Sequence, residues 1–135
     1  MPKTRAIIPT LRYHDARAAI DFLCRAFGFS VHLKAEGEGD LINHAQLVDG
    51  DTMIMLGSVR DDEFGQLQNN ARDLGGCSQS PYLVVDDLTS HHERAVAAGA
   101  QVVMPLRNEE HGGSFYACLD PEGNLWSFGD YDPWA

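Results

Sequence analysis

The stretch "SFYACLDPEGNLWSFGDY", Ser114–Tyr131, decides the fold. Two apolar runs rich in aromatic residues flank a DPEGN turn, which predicts two β-strands joined tightly. Displaced by 72 residues, "HAQLVDGDTMIML" from His44 lies over "YACLDPEGNLWSF" from Tyr116, with Ala45 over Ala117, Leu47 over Leu119 and Leu56 over Phe128. The same displacement carries Leu11 to Leu83 and Asp15 to Asp87. A fixed period of this kind is the mark of an internal repeat.

Each copy reads alike. "AIIPTLRY" is a strand, and Asp15 then caps a helix in "DARAAIDFLCRAFG", where Ala16, Ala19, Ile20, Leu23 and Phe27 recur at helical spacing and Gly28 ends the run. "FSVHLKAE", "LINHAQLV" and "DTMIMLGSV" follow as strands separated by the turns GEGD and DGD. The second copy runs from "PYLVV" through an Asp87 cap and the helix "LTSHHERAVAAG" to "QVVMPL", "SFYACL" and "LWSFGDY". The chain therefore reads as one α+β domain over residues 1–135: a βαβββ module at 5–59, a polar linker at 60–79 and a second module at 80–131. A module of about sixty residues is marginal alone, so the two sheets are expected to join, within the chain or across a partner chain.

Hydrophobic residues make up 44% and charged residues 22%, a globular balance that indicates neither disorder nor a membrane span. "MPKTRAIIPT" has no long apolar stretch and no cleavage site, so it reads as no signal peptide and a cytoplasmic location is expected. Cys24, Cys77 and Cys118 are odd in number and lack C-x-x-C spacing, which argues against disulfides and a zinc knuckle. A net charge of −10 with scattered Lys and Arg opposes nucleic-acid binding. It is compatible with a cationic small molecule, or with a role in solubility alone.

Paired βαβββ units, the capped helix "DARAAIDFLCRAFGF" and "DPEGNLWSF" before the last strand resemble the vicinal oxygen chelate superfamily, which contains glyoxalase I, bleomycin-resistance proteins and extradiol dioxygenases. The resemblance implies mixed sheets forming a cup-shaped, barrel-like pocket with helices outside, commonly completed across a homodimer. It also implies that metal-dependent members bind their ion with His, Gln or Glu from the first and last strand of each unit. Those positions here hold Ile8, Met55, Ser80 and Ser127, none a normal ligand of a divalent hard or borderline metal. No metal and no cofactor is expected. His44 with Gln46 or Glu36 makes a poor site, because stable sites need three or four ligands.

Side chains alternate across a strand, so parity separates the residues under the helices from those lining the cup. Ile54, Leu56, Trp126 and Phe128 read as core. The cup is expected to hold Ile8, Thr10, Arg12, His44, Gln46, Met53, Met55, Tyr82, Tyr116 and Ser127, with Ser80, Val84 and Cys118 beside them. Cys118 reads as a buried inert thiol, or as a nucleophile if His44 reaches it. His91 and His92 read as a solvated helix face, and His111 as a loop residue within possible reach of a ligand. No nucleophile elbow, phosphate loop or zinc-protease motif is present in the sequence.

A cup of thioethers, tyrosines, a histidine and an amide suits binding more than catalysis. Together with the resemblance it implies metal-independent sequestration of a small molecule, a planar aromatic antibiotic. The alternative is a metal-dependent lyase, isomerase or dioxygenase of the glyoxalase I type.

Overall fold

The computed structural model describes residues 1–110 and 112–135; His111 lies outside the described residues. The elements run β1 Thr10–Tyr13, α1 Ala16–Phe27, β2 Ser30–Glu36, β3 Ile42–Asp49, β4 Thr52–Ser58, a 3₁₀ turn Phe64–Gln66, α2 Ala71–Leu74, β5 Tyr82–Val84, α3 Leu88–Ala97, β6 Gln101–Asn108, β7 Ser114–Leu119 and β8 Leu125–Gly129. They form two four-stranded mixed sheets, ordered β1-β4-β3-β2 and β5-β8-β7-β6. In each, the first strand lies parallel to the last and the other pairs are antiparallel. The architecture is the expected α+β arrangement of two βαβββ units. Among the described residues no strand of one sheet pairs with a strand of the other, so a single chain closes no barrel.

Local chemistry sets the two longer helices, α1 and α3. Asp15 accepts from Ala18 N at 3.0 Å, and Gly28 ends α1 at φ 85°, a left-handed position that glycine adopts without strain. Asp87 caps α3 in the same way, accepting from Ser90 N at 3.2 Å. Ala16, Ala19, Ile20, Leu23 and Phe27 of α1 are buried as their spacing requires.

One core serves both sheets. Phe27 of α1 packs against Trp126 and Phe128 of the second sheet, with ring centroids 5.3 and 4.6 Å apart. His91, expected on a solvated face, instead lies half-buried in this seam, 4.2 Å from Phe128 and with Nδ1 2.7 Å from Tyr116 Oη. Its ring is turned inward because α3 lies on α1. Burial, the largest influence, lowers the affinity of His91 for a proton.

The second half also finishes the ends of α1. Glu122, buried in the β7–β8 turn, accepts from His14 N at 2.6 Å and Asp15 N at 2.8 Å, and from Asn70 Nδ2 at 2.9 Å. At the other end, Arg94 of α3 donates to Arg25 O at 2.7 Å and Cys24 O at 3.1 Å. An anion at the start of a helix and a cation at its end both complement its unpaired backbone groups and its dipole. The neighbouring Asp120 accepts from Tyr13 Oη at 2.6 Å and from Trp126 Nε1 at 3.0 Å. The DPEGN turn therefore ties the halves together as well as joining two strands.

Candidate functional site

The register settles which face each strand turns outward. In the first sheet, Gln46 pairs with Met55, Met55 with Thr10, and Val48 with Met53. These residues share the face away from α1, while Ala45, Leu47, Ile54 and Leu56 are buried beneath it. Thr10, Arg12, His44, Gln46, Met53 and Met55 thus stand on the open face expected of them. Gln46 Nε2 lies 3.1 Å from His44 Nε2, with the amide donating to the ring nitrogen.

The polar groups around Thr10 and Arg12 are already engaged by the segment after β4. Gln68 Nε2 donates to Thr10 O at 2.6 Å, and Arg12 reaches both oxygens of Asp62 at 3.3 and 3.4 Å, its guanidinium 5.6 Å from the Phe64 ring centroid. The amide of Gly65, and then Arg12, hold the Asp62 carboxyl below its ordinary range. The expected polar linker is therefore strapped to β1, and its Asn70 is buried.

In the second sheet, Tyr82 pairs with Ser127, and Val84 and Phe115 each pair with Gly129, all on the open face. Tyr82 Oη donates to Tyr131 O at 2.7 Å. Gly129 lies beneath the Tyr82 ring, where an added Cβ would sit 2.9 Å from Tyr82 Cε1.

Tyr116 and Cys118 depart from expectation. Both are 0% exposed and face the helices, because Tyr116 pairs with Phe128 and Cys118 with Trp126. The cause is one residue. Ala45 pairs with Leu56 across the first hairpin, so its counterpart is Tyr116, which is 71 residues on, while Leu56 and Phe128 are 72 apart. The DPEGN turn is one residue longer than its counterpart, and a one-residue slip sends every side chain of the strand to the other face. The counterpart of His44 is accordingly Phe115. Cys118 is cut off from His44, and burial raises its thiol pKa to about 12. Ile8 and Ser80 precede the strands in which they were expected; Ile8 is 37% exposed.

Three clefts gather some of these residues. A crevice of about 960 Å³ brings Ile8, Met53, Tyr82 and Val84 together with His91, and carries Asp49, Asp51, Asp86 and Asp87 with no Lys or Arg in its lining. Ser90 holds the Asp87 carboxyl below its usual value, which favours a negative crevice wall. A second cleft, of 660 Å³, brings Ile8, Thr10 and Arg12 against Gln68, Leu74 and Cys77. A third, of 300 Å³, is walled by Tyr82, Phe115 and Tyr131. His44, Gln46, Met55 and Ser127 line none of the three.

A divalent metal does not fit the positions where the resemblance implies its ligands. Ile8, Met55, Ser80 and Ser127 provide no carboxylate and no imidazole, and among the described residues no three His, Cys, Asp or Glu side chains converge on one point. Among those residues, no helix is long and apolar enough to cross a membrane.

Comparison with known proteins places these features in context. A family model described as Glyoxalase/Bleomycin resistance protein/Dioxygenase superfamily matches residues 7–128. The uncharacterized protein Rv0887c of Mycobacterium tuberculosis is 34% identical over 125 residues, covering 92% of this chain and 73% of its own. The crystal structure of TioX from Micromonospora sp. ML1 superposes with a TM-score of 0.73 at 29% identity, covering 93% of this chain and 98% of TioX. The bleomycin resistance determinant encoded on the transposon Tn5 shares the fold, with a TM-score of 0.68 at 20% identity over 96% of this chain and 99% of its own.

Proposed function

Because the chain belongs to the glyoxalase/bleomycin resistance protein/dioxygenase superfamily, we propose that it binds and sequesters a small molecule, a planar aromatic antibiotic, without the help of a metal ion. The observation that carries this reading is the chemistry of the two open sheet faces. They present Met53, Met55, Tyr82 and Phe115, adaptable thioethers and flat rings, while the four implied metal positions lack carboxylate and imidazole. Two or three such contacts at about 0.5–1.5 kcal/mol each, added to apolar burial, make micromolar or tighter affinity reachable after the entropy lost on binding. The four carboxylates of the crevice favour a ligand with a cationic portion.

The functional unit in this reading is a homodimer. Beyond Thr10 and Arg12, which the segment after β4 engages, neither open face meets the other sheet among the described residues, and a second copy that brings its first sheet opposite the second sheet of its partner would close two cups related by a two-fold axis.

The test is a thermal-shift screen of antibiotics with planar aromatic parts, alongside elemental analysis of the purified protein. A concentration-dependent rise in melting temperature with no stoichiometric metal is the expected result. About one tightly held nickel, zinc, iron or manganese ion per chain, removable with loss of function, would instead support a metal-dependent lyase, isomerase or dioxygenase.

A further inference from the structure

Two guanidinium groups meet on one carboxylate at the β1 edge of the first sheet. Arg12 reaches Asp62 with Nη1 on Oδ1 at 3.3 Å and Nη2 on Oδ2 at 3.4 Å, and Arg60 Nε lies 3.2 Å from the same Oδ2. Both arginines also donate to Ser58 O at 3.3 Å. Arg12 pairs with Gly57, and a Cβ at Gly57 would lie 3.3 Å from Arg60 Nη1, so Arg60 lies over that glycine and Arg12 beside it. The Arg12 side chain is 11% exposed, a burial that calls for a counter-charge. Asp62, 35% exposed, supplies it from a segment without a core anchor: no residue from Asp61 to Asn69 is buried, and Ser58 and Asn70 are the buried residues on either side. A segment packed so lightly opens locally at low cost, and an ion pair this close to water does little to hold it down.

We propose that Arg12 and Arg60 form a carboxylate-binding subsite, which Asp62 fills in the free chain and vacates for a carboxylate of the ligand. The guanidinium fork matches the two oxygens of a planar carboxylate, and Asp62 displays that fit, with one Arg12 nitrogen on each oxygen. Two cations against one anion leave the spot positive in a chain of net charge −10, opposite in sign to the acidic crevice. Thr10 and Met55 stand one register step away on the same face, so a carboxylate held here sits at the rim of a ligand lying on the first sheet. Phe64, its ring centroid 5.6 Å from the Arg12 guanidinium, lifts with Asp62 and uncovers that rim. The inference rests on the small-molecule reading above and deepens it, giving the ligand an anionic group and the segment after β4 the role of its internal competitor.

Sodium acetate is the probe, titrated against the full chain at an ionic strength held constant with chloride, and the Nε–H resonances of Arg12 and Arg60 are followed by NMR. Asp62→Asn removes the competing charge and keeps an acceptor for the Gly65 amide, which donates to Asp62 Oδ1 at 2.6 Å. It is expected to bind acetate at least tenfold more tightly than the parent, and Arg60→Gln added to it should abolish the gain. The parent should move toward the same bound resonance positions at higher acetate. A parent that never does so marks Asp62 as a permanent tie and overturns the proposal, as does an Asp62→Asn variant that responds to acetate no more than to chloride. If Asp62→Asn does not fold, the parent titration decides: saturable shifts that Arg60→Gln loses support the subsite, and their absence overturns it. Acetate has no ring, so failure here leaves the aromatic-binding reading standing, and an empty antibiotic screen removes that reading without touching the acetate result.

Discussion

Replacing Asp120 by Asn changes one oxygen to an amide and puts the seam between the halves under direct strain. The Asp120 carboxylate is 5% exposed and accepts from Tyr13 Oη at 2.6 Å, Trp126 Nε1 at 3.0 Å, Glu122 N at 3.0 Å and Asn124 N at 3.1 Å. Tyr13 and Trp126 both donate to Oδ2, the atom that becomes an NH₂ group when Oδ1 stays with the turn amides. The tyrosine hydroxyl can rotate to accept, but the indole N–H can only donate and is left buried against another donor. Hydrogen bonds to a charged acceptor contribute about 1.5–3 kcal/mol each, so losing one and weakening another is expected to cost about 3–5 kcal/mol of the roughly 5–15 kcal/mol that holds a domain together. At an unfolding entropy of about 2.1 cal/mol/K per residue, that lowers the melting temperature of this chain by about 10–18 °C. Urea unfolding followed by tryptophan fluorescence reads the same loss as a lower midpoint at unchanged slope. A loss below about 1 kcal/mol would refute the view that this carboxylate is a principal tie between the halves.

Other perturbations probe the remaining claims. Met55→Glu puts an unpaired carboxylate on the open face of the first sheet and is expected to weaken a neutral aromatic ligand at least tenfold, measured by calorimetry; unchanged affinity in a folded variant removes that face from the site. Stability should fall on acidification below the ordinary His91 value of 6.5, since burial depresses its folded-state pKa. The unfolded chain then binds the extra proton first, so the stabilising contribution is whole above 6.5 and is lost as pH drops toward the depressed value. His91→Gln should flatten the slope between pH 8 and 5.5 in denaturant titrations, and a slope equal to the parent's would assign it to other groups. Sedimentation at micromolar concentration is expected to show a dimer, and a monomer at every concentration tested would remove the two-chain cup.

The sequence carried the fold well because its signals are local. The Asp15 and Asp87 caps, the apolar face of α1 and the left-handed Gly28 each depend on residues a few positions apart, and each holds in the structure. The open face of the first sheet follows from alternation in the same way. The second sheet was harder, because its register depends on the length of a turn. An ungapped overlay of the repeats cannot show that DPEGN is one residue longer, so Tyr116 and Cys118 are expected in the cup and lie instead beneath the helices. Glu122, Asn70 and Arg94 were invisible for a different reason. As polar residues they look solvent-exposed, and only partners distant in sequence explain them: the amides leading into α1 for Glu122, Arg12 O of β1 and the Glu122 carboxylate for Asn70, and the last carbonyls of α1 for Arg94.

The completion of α1 by the second half also bears on how the chain comes into being. The anion at the start of this helix lies 107 residues from Asp15 in sequence, and the arginine at its end lies 70 residues from Cys24. A ribosome that has just made Ser58 has made every strand of the first sheet, but neither of these two groups. The nascent first half therefore waits with both helix ends in water until most of the polypeptide has emerged. Contacts this remote in sequence slow the search for the native state. In a refolding experiment with pulsed hydrogen exchange, the amides of His14 and Asp15 should be among the last to gain protection, well after those of the α1 interior.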